Sequence, residues 1–378
     1  MNIDSTIISG YQSLQNIGYL LAGKRQVLLV SDKNIIGLPP VQSLTGQLNN
    51  AGCEVSIIDS VPPEPSQHDV AAILKTLNQP QVDLVIGVGG GSVLDVAKLL
   101  SILCAGDETV TLDTLLAGEK PQRRTTSLLI PTTAGTGSEA TPNAILAIPE
   151  KETKTGIITP VMLPDYVALV PELTTSMPAR IAASTGIDAL CHLFECFTSV
   201  IANPVSDNFA LVGMKKLFAS LETAVAEPEN LEARLNMLWA SYYGGASIAH
   251  AGTHLVHAMS YPLGGKYHIP HGVANAILLA PCMAFVRPSA VNKFAQAYDL
   301  IPGADPTLRE EEKSHALVEY FDALVHRLDL PVKLSQLNIT PDDIPYLSQG
   351  AIEVQRLIKN VPMPVDKNQI AEIYRSIR

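Results

Sequence analysis

The alternation of apolar and helical segments in the first 170 residues most constrains the fold of this chain. We predict strands over 26–31, 54–59, 83–88 and 127–130. Short apolar runs of this kind are typical of strands that are buried on both faces. Segments 39–51, 67–77 and 93–104 between them have helical patterns. Because helical crossovers join parallel neighbours in a sheet, we predict an α/β fold with a parallel sheet that helices cover on both faces.

The pattern changes near Pro171, and almost only helical segments follow Pro178. The predicted helices are 178–199, 206–226, 231–248, 273–285, 310–328, 344–357 and 367–376. We therefore predict two domains, an α/β dinucleotide-binding domain over 1–172 and an all-helical domain over 173–378.

Composition and charge exclude several classes of protein. Only 17% of the residues are charged, and the net charge of −11 supplies no basic field for a nucleic-acid partner. The longest charge-free stretch, 235–265, contains histidines and many small residues instead of the unbroken apolar run of a membrane span. The first ten residues lack the pattern of a secretory signal, and the five scattered cysteines suit reduced thiols. We therefore expect a cytoplasmic protein without a membrane partner.

A glycine-rich turn over 87–92 follows a predicted strand and opens a predicted helix. Successive backbone N–H groups and a helix N-terminus attract anions. The turn matches neither the G-x-G-x-x-G fingerprint nor a P-loop, because Ser92 replaces the last glycine and no Gly-Lys pair follows. Taken alone, it fits a phosphate site and a tight structural turn equally well.

A second turn, rich in threonine and glycine, covers 131–139 and also follows a buried strand. Two such turns at the carboxyl ends of parallel strands are typical of a nucleotide crevice. Asp32 follows the first strand, where a carboxylate either binds a ribose hydroxyl or forms a local Asx turn. Since Asp32 precedes the glycine turn, we expect a strand order that differs from the standard Rossmann order.

Polar residues also share one face of an otherwise apolar helix. Asp188, His192 and Glu195 stand at i, i+4 and i+7, which predicts either a metal pair or a buried Asp–His hydrogen bond. Five further histidines follow within a short stretch: His250, His254, His257, His268 and His271. Imidazole and carboxylate together suit zinc, iron or nickel, but the spacing does not select the ligands.

Four motifs give the chain a family resemblance: GGGSVLDVAK at 89–98, PTTAGTGSE at 131–139, STGIDALCHLFE at 184–195 and HAMSYPLGGKYHIPHGVANAILL at 257–279. With them the chain resembles the iron-containing (group III) alcohol dehydrogenases over nearly its whole length. The resemblance implies hydride transfer between nicotinamide and a small primary alcohol, aldehyde or hydroxy acid. It also implies Fe(II), or sometimes Zn(II), as the metal, NAD as the cofactor, and a homodimer or larger homo-oligomer.

The resemblance assigns roles to individual residues. The implied metal ligands are Asp188, His192, His257 and His271, and Glu195 stands beside them. The implied NAD contacts are Asp32, Gly90, Gly91, Ser92, Thr132, Thr133, Thr136 and Lys154. Asp32 implies a preference for NAD over NADP, since a carboxylate repels a 2′-phosphate.

Three departures from the family pattern surround the implied metal site. Tyr261 stands where well-known members have a histidine near the nicotinamide, so it either donates a proton or lines the pocket. His254 replaces a small residue, and we expect it to support the site instead of acting as a fifth ligand. Lys266 and His268 replace uncharged residues and indicate either a site for an anionic substrate or an exposed loop.

Other functions of the same architecture stay open at this stage. Maleylacetate reductase-like and glycerol dehydrogenase-like oxidoreductases share the expected residues. A dehydroquinate synthase-like lyase would need more basic residues for a phosphorylated acid. A catalytically silent binding protein would not need the four implied ligands and the two turns, all of which are present.

Overall fold

A computed structural model describes residues 5–77, 81–122, 124–151 and 153–378. Contacts divide the chain into two compact units: Met1–Thr133 with Ser138–Ser176, and Ala134–Gly137 with Met177–Arg378. The first unit is a parallel α/β structure and the second is helical, so the predicted fold class is confirmed. The predicted boundary between 172 and 173 stays a prediction.

The α/β unit contains every strand among the described residues. The strands are β1 (Thr6–Ser9), β2 (Gln26–Val30), β3 (Glu54–Ile58), β4 (Leu84–Gly89), β5 (Thr126–Pro131), β6 (Asn143–Ile148), β7 (Thr153–Ile158) and β8 (Tyr166–Leu169). The helices of this unit are α1 (Pro39–Asn50), α2 (Gln67–Thr76), α3 (Gly91–Leu103) and α4 (Leu112–Leu116). The four predicted strands and three predicted helices lie within two residues of observed ones. The short strands β1 and β8 and the antiparallel hairpin β6–β7 were not predicted.

The six-stranded sheet is wholly parallel, in the order β1-β8-β5-β4-β2-β3. Apart from the edge strand β1, this is the flavodoxin-like order, so the expectation of a non-Rossmann topology is confirmed. The order reverses between β2 and β4, which are neighbours in the sheet. The Ser31 hydroxyl donates to the Val88 carbonyl at 2.8 Å and joins the carboxyl ends of these two strands.

Alternating residues of the strands pack on opposite faces of the sheet, as the pleat requires. Leu28 and Val85 belong to the apolar cluster that contains α3, whereas Leu29 and Ile86 belong to the cluster that contains α1. Both faces are therefore covered, which explains why these strands are apolar throughout instead of alternating with polar residues.

A buried ion pair on α3 fixes the exit of the second glycine turn. The Lys98 ammonium lies 3.0 Å from the Asp95 carboxylate and donates to the Ser138 carbonyl at 2.9 Å. Asp95 in turn accepts from the Ser138 hydroxyl at 2.5 Å and from the backbone N–H of Ile145 at 2.9 Å. A buried charge pair is tolerated only when its remaining polar atoms are satisfied, and this network satisfies them.

The helical unit contains α5 (Ala179–Thr198), α6 (Pro204–Ala226), α7 (Leu231–His250), α8 (Leu255–Tyr267), α9 (His271–Val286), α10 (Val291–Tyr298), α11 (Glu310–Arg327), α12 (Ile344–Glu353), α13 (Gln355–Ile358) and α14 (Lys367–Ser376). The predicted helix over 344–357 is divided into α12 and α13, and α10 was not predicted. Helix α8 was also missed, because Pro262, Gly264 and Gly265 give its sequence a low helix propensity. Packing against α9 and α12 stabilises it instead.

Within the described residues, one helical segment, His271–Ser289, is long and apolar enough to cross a membrane by length and composition. Most of this segment is buried inside the protein, as is typical of a core helix.

Glu139 is a buried carboxyl group at the end of the second glycine turn. Its side chain is 1% exposed, and neither carboxylate oxygen has a hydrogen-bond partner among the described residues. Burial raises the pKa of Glu139 to about 7, although Lys98 opposes the increase. The unfolded chain, with a carboxyl pKa near 4.5, therefore binds fewer protons than the folded chain between these two values.

We expect Glu139→Gln to remove a pH-dependent loss of stability. Below pH 4.5 Glu139 is neutral in the folded and unfolded chain and does not lower the free energy of unfolding. As the pH rises toward about 7, its burial lowers this free energy progressively. Relative to wild type, the variant should gain up to about 3 kcal/mol of unfolding free energy between pH 5 and pH 8. Urea unfolding of the metal-free protein measures this, with the exposed Glu119→Gln as control. The same change in both variants would contradict the interpretation.

Candidate metal centre and dinucleotide site

Three imidazoles from three helices converge on one buried carboxylate. Helix α5 carries Asp188 and His192, α8 carries His257, and His271 is the first residue of α9. The Nε2 atoms of the three histidines lie 3.7, 3.7 and 3.5 Å from Asp188 Oδ1. All four donor atoms lie within 4.8 Å of one another. Ligands of a single divalent ion lie about 3–4 Å apart, so this cluster fits such an ion.

Hydrogen bonds orient two of the three rings. His192 Nδ1 lies 3.1 Å from the Gly135 carbonyl, and His257 Nδ1 is hydrogen-bonded to Glu195 Oε2. A proton on Nδ1 satisfies each acceptor and leaves the Nε2 lone pair directed toward Asp188. The tautomers that these contacts favour are therefore those that a metal requires.

Glu195 is fully buried, and a network outside the cluster holds it. Its Oε1 accepts from the Val256 N–H at 2.6 Å and lies 3.2 Å from His254 Nδ1. The His254 ring also contacts Thr198 Oγ1, at 2.9 Å from Nε2, and accepts from the Leu255 N–H at 2.7 Å. His254 thus lies outside the four-residue cluster and packs against Glu195.

Burial and neighbouring charges shift the pKa values of the cluster residues in opposite directions. Burial raises the pKa of Asp188, but the three neighbouring histidines outweigh it and hold this pKa well below its usual value. Burial lowers the pKa of His257, but the Glu195 and Asp188 carboxylates together outweigh this effect and raise the pKa to about 9. Burial lowers the pKa of His192. A bound cation would therefore take the place of the proton on His257.

Asn275 contacts the four-residue cluster but was not predicted from the sequence. Its Nδ2 donates to Asp188 Oδ1 at 2.7 Å and lies 3.3 Å from His271 Nε2. Asn275 stands four residues after His271, so both face the same side of α9. That spacing is the signal by which the sequence could have identified it.

The middle of the second glycine turn belongs to the helical unit and supports His192. A Cβ on Gly135 would lie 2.7 Å from Thr185 Cβ, and a Cβ on Gly137 would lie 2.5 Å from the Ser241 carbonyl oxygen. Only glycine allows this close approach, which places the Gly135 carbonyl against His192. The sequence motif implied a role in dinucleotide binding alone for this turn, whereas its Gly135 carbonyl also contacts His192 of the Asp188 cluster.

The α/β unit brings most of the predicted dinucleotide residues to one edge of its sheet. Asp32 follows β2, Gly90 caps the N-terminus of α3 after β4, and Thr132 follows β5. The backbone N–H of Thr132 donates to the Gly89 carbonyl at 3.0 Å. These positions surround the point where the strand order reverses, which is where dinucleotides bind in such sheets. Asp32 also accepts from the Asn34 N–H at 2.8 Å, so the Asx turn is present as well.

The remaining predicted cofactor residues lie on both units. Gly91 and Ser92 begin α3, and Thr133 ends the first segment of the α/β unit, whereas Thr136 belongs to the helical unit. Glu64 was not predicted from the sequence, and its backbone N–H donates to Ser92 Oγ at 3.1 Å. The Glu64 carboxylate lies 2.7 Å from the Lys154 ammonium, so it connects two of the predicted contacts.

The three positions that depart from the family pattern have different surroundings. The Tyr261 ring is half-buried, with its centroid 6.2 Å from that of His271. Lys266 lies 3.9 Å from Asp343 Oδ1 and 4.2 Å from the centre of the Tyr346 ring. His268 is exposed and has a left-handed backbone at the end of α8. Tyr261 thus adjoins the cluster, whereas the Lys266 ammonium is held by aromatic and acidic neighbours.

Known proteins resemble this chain both in sequence and in structure. The family "Iron-containing alcohol dehydrogenase" matches residues 4–171, and "Fe-containing alcohol dehydrogenase family, C-terminal" matches 182–378. The chain is 35% identical to long-chain-alcohol dehydrogenase 1 of Geobacillus thermodenitrificans, over 94% of this chain and 90% of that protein. It is 33% identical to 1,3-propanediol dehydrogenase of Klebsiella pneumoniae, over 94% and 92%. A crystal structure of 1,3-propanediol oxidoreductase superposes with a TM-score of 0.92 at 30% identity, covering 99% of this chain and 98% of that one.

A parallel α/β unit followed by a helical unit with an Asp–His cluster is the architecture of the iron-containing alcohol dehydrogenases, a family that uses a metal and NAD(H). The chain belongs to the iron-containing alcohol dehydrogenase family, which confirms the resemblance found in its motifs. It is an oxidoreductase of the alcohol dehydrogenase type.

We expect Glu195→Gln to weaken metal binding about 10- to 100-fold. The amide would present N–H groups to His257 Nδ1 and favour the tautomer that carries a proton on Nε2, on the side of the cluster. Competition with a chelator measures the affinity. Thr198→Val is the matched control, because it removes a hydrogen bond to His254 and leaves the contact between Glu195 and His257 in place. Unchanged affinity in Glu195→Gln would show that this carboxylate does not orient His257.

Proposed function

We propose that Asp188, His192, His257 and His271 hold one divalent metal, Fe(II) or Zn(II). The observation that carries this proposal is the approach of three Nε2 atoms to one Asp188 oxygen. Two of the rings have Nδ1 contacts that leave Nε2 free, and the buried carboxylate stays ionised. This donor set of nitrogen and oxygen suits both metals.

The proposed reaction is the reversible oxidation of a small primary alcohol or hydroxy acid. When bound, the metal supplies a Lewis acid for the substrate oxygen, and NAD supplies the hydride acceptor. The histidines and Asp188 fix the position at which the substrate oxygen is held. The glycine turns after β4 and β5 offer backbone N–H groups to the pyrophosphate.

Tyr261 is the candidate for proton transfer at its Oη atom. Its Oη accepts a hydrogen bond from Arg356 at 2.7 Å, so its own proton is free to be donated to another acceptor. The alternative is that Tyr261 only lines the pocket beside His271. The pH dependence of turnover in Tyr261→Phe separates the two roles, since loss of a general acid changes the profile itself.

The test of the proposed function is a substrate panel under defined metal conditions. Primary alcohols, diols, glycerol and hydroxy acids are each offered with NAD or NADP to protein loaded with Fe(II) or Zn(II), and NADH formation is followed by absorbance. Turnover of glycerol or of a dicarboxylic substrate in preference to simple alcohols would favour a glycerol dehydrogenase-like or maleylacetate reductase-like enzyme. No NADH formation with any substrate would contradict the proposal.

We expect His271→Ala to lose both bound metal and turnover, because one of four donors is removed. The matched control is His268→Asn, which removes an exposed imidazole three residues away and keeps a residue that tolerates the left-handed backbone. Metal content after purification should fall in the first variant and stay stoichiometric in the second. Full activity in metal-free His271→Ala would refute the ligand assignment.

We expect Asp32→Ser to relax the choice of cofactor. Serine removes the charge that repels a 2′-phosphate but keeps an acceptor for the Asn34 N–H, so the local turn should survive. The ratio of kcat/KM for NADP to that for NAD should rise at least about 10-fold. An unchanged ratio would show that Asp32 serves the turn alone.

We also propose a cytoplasmic location and a homodimer or larger homo-oligomer. The five cysteines are buried free thiols, which suits a reducing compartment. The oligomeric state rests on the family resemblance, and light scattering coupled to size-exclusion chromatography tests it.

A further inference from the structure

Arg356 contacts Tyr261, whose ring adjoins the Asp188 cluster. Its guanidinium donates to Tyr261 Oη at 2.7 Å and lies 5.3 Å from the centre of the Tyr261 ring. The Tyr261 ring in turn neighbours His271. The cation is therefore two side-chain contacts away from a proposed metal ligand.

The Arg356 backbone is fixed even though its side chain is exposed. Arg356 lies on α13, which packs against α8, the helix of Tyr261 and His257. The buried Asn360 donates to the Arg356 carbonyl at 3.3 Å and to the Thr253 carbonyl at 3.1 Å. These contacts hold α13 against the segment that leads into α8.

Among the described residues, the Arg356 guanidinium contacts Tyr261 but has no acidic partner. No carboxylate oxygen in the described part of the chain lies within 4 Å of Arg356, whereas the nearby Lys266 is 3.9 Å from Asp343. Arginine offers five N–H donors, and Tyr261 takes one of them. The others are free to bind an anion, and their planar arrangement matches a carboxylate.

We propose that Arg356 binds the anionic end of the substrate, and that the substrate is a short ω-hydroxycarboxylate or the corresponding aldehyde acid. This inference rests on the proposed function, because the hydroxyl end is held at the Asp188 cluster. Tyr261 positions Arg356 by accepting its hydrogen bond and by placing its ring under the cation. Arg356 thereby selects charged substrates over neutral alcohols of equal length.

The experiment compares matched substrates in the metal-loaded enzyme with NAD. 4-Hydroxybutanoate is paired with 1,4-butanediol, and 3-hydroxypropanoate with 1,3-propanediol. Wild type should prefer the hydroxy acid, and Arg356→Gln should lower the ratio of kcat/KM for acid to diol about 10- to 100-fold, as expected for a lost charge-assisted hydrogen bond. Lys359→Gln is the control, because it removes the same charge from an exposed side chain three residues away and leaves the hydrogen bond from Arg356 to Tyr261 in place. Its ratio should stay within about twofold of wild type.

A binding measurement keeps the inference testable without turnover. Calorimetric titration of 4-hydroxybutanoate into metal-loaded enzyme that contains NADH reports affinity alone, since no oxidised cofactor is present. Affinity should fall in Arg356→Gln and stay near wild type in Lys359→Gln. An equal effect of both variants, in kinetics and in binding, would overturn the inference.

The outcomes separate this inference from the proposed function. Turnover of diols together with an unchanged acid-to-diol ratio in Arg356→Gln would overturn the role of Arg356 and leave the dehydrogenase intact. Absence of any turnover would contradict the dehydrogenase, while calorimetry would still test the anion site. A third substrate, 2-hydroxyethanesulfonate, identifies the anion: if it is preferred to 3-hydroxypropanoate, the arginine serves a sulfonate instead of a carboxylate, which overturns the proposed substrate class.

Discussion

The buried carboxylate of Asp188 is the constraint on which the helical unit depends. An ionised group in an apolar interior is costly unless charges or hydrogen bonds compensate it. Here the compensation comes from His192 on the same helix, from His257 and His271 on two others, and from the Asn275 amide. Helices α5, α8 and α9 must therefore meet at this point, and the same convergence brings the four donor atoms of the proposed metal site together.

The contacts around the cluster extend this constraint outward. Glu195 fixes His257 and is itself held by Val256 and His254, while the Gly135 carbonyl fixes His192. The close packing of Gly135 against Thr185 is therefore part of the geometry of the site. In the α/β unit, the pair of Asp95 and Lys98 has a comparable role, because it fixes the backbone that follows the second glycine turn.

Much of the fold could be predicted from local pattern. Continuous apolar strands and amphipathic helices located most of the elements, since periodicity records which faces are buried. The missed elements depend on distant partners: β1 pairs with β8 at the other end of the α/β unit, and α8 forms despite Pro262 because neighbouring helices stabilise it. Glu64 and Arg356 were missed for the same reason, because their contacts join segments that local sequence does not connect. Asn275 differs from them, because its spacing of four residues from His271 is a local signal.

The sequence by itself determined the chemical types at the site and their family, since motif residues specify carboxylate, imidazole and glycine turns at fixed positions. It also placed Asp188 and His192 on one face of a helix, which follows from helical periodicity alone. Spacing alone left the later histidines open, and the tertiary structure decided among them, because His257 Nε2 approaches Asp188 whereas His254 Nε2 contacts Thr198. It likewise decided that Arg356 lies beside Tyr261, since packing of α13 against α8 brings together residues that are 95 positions apart.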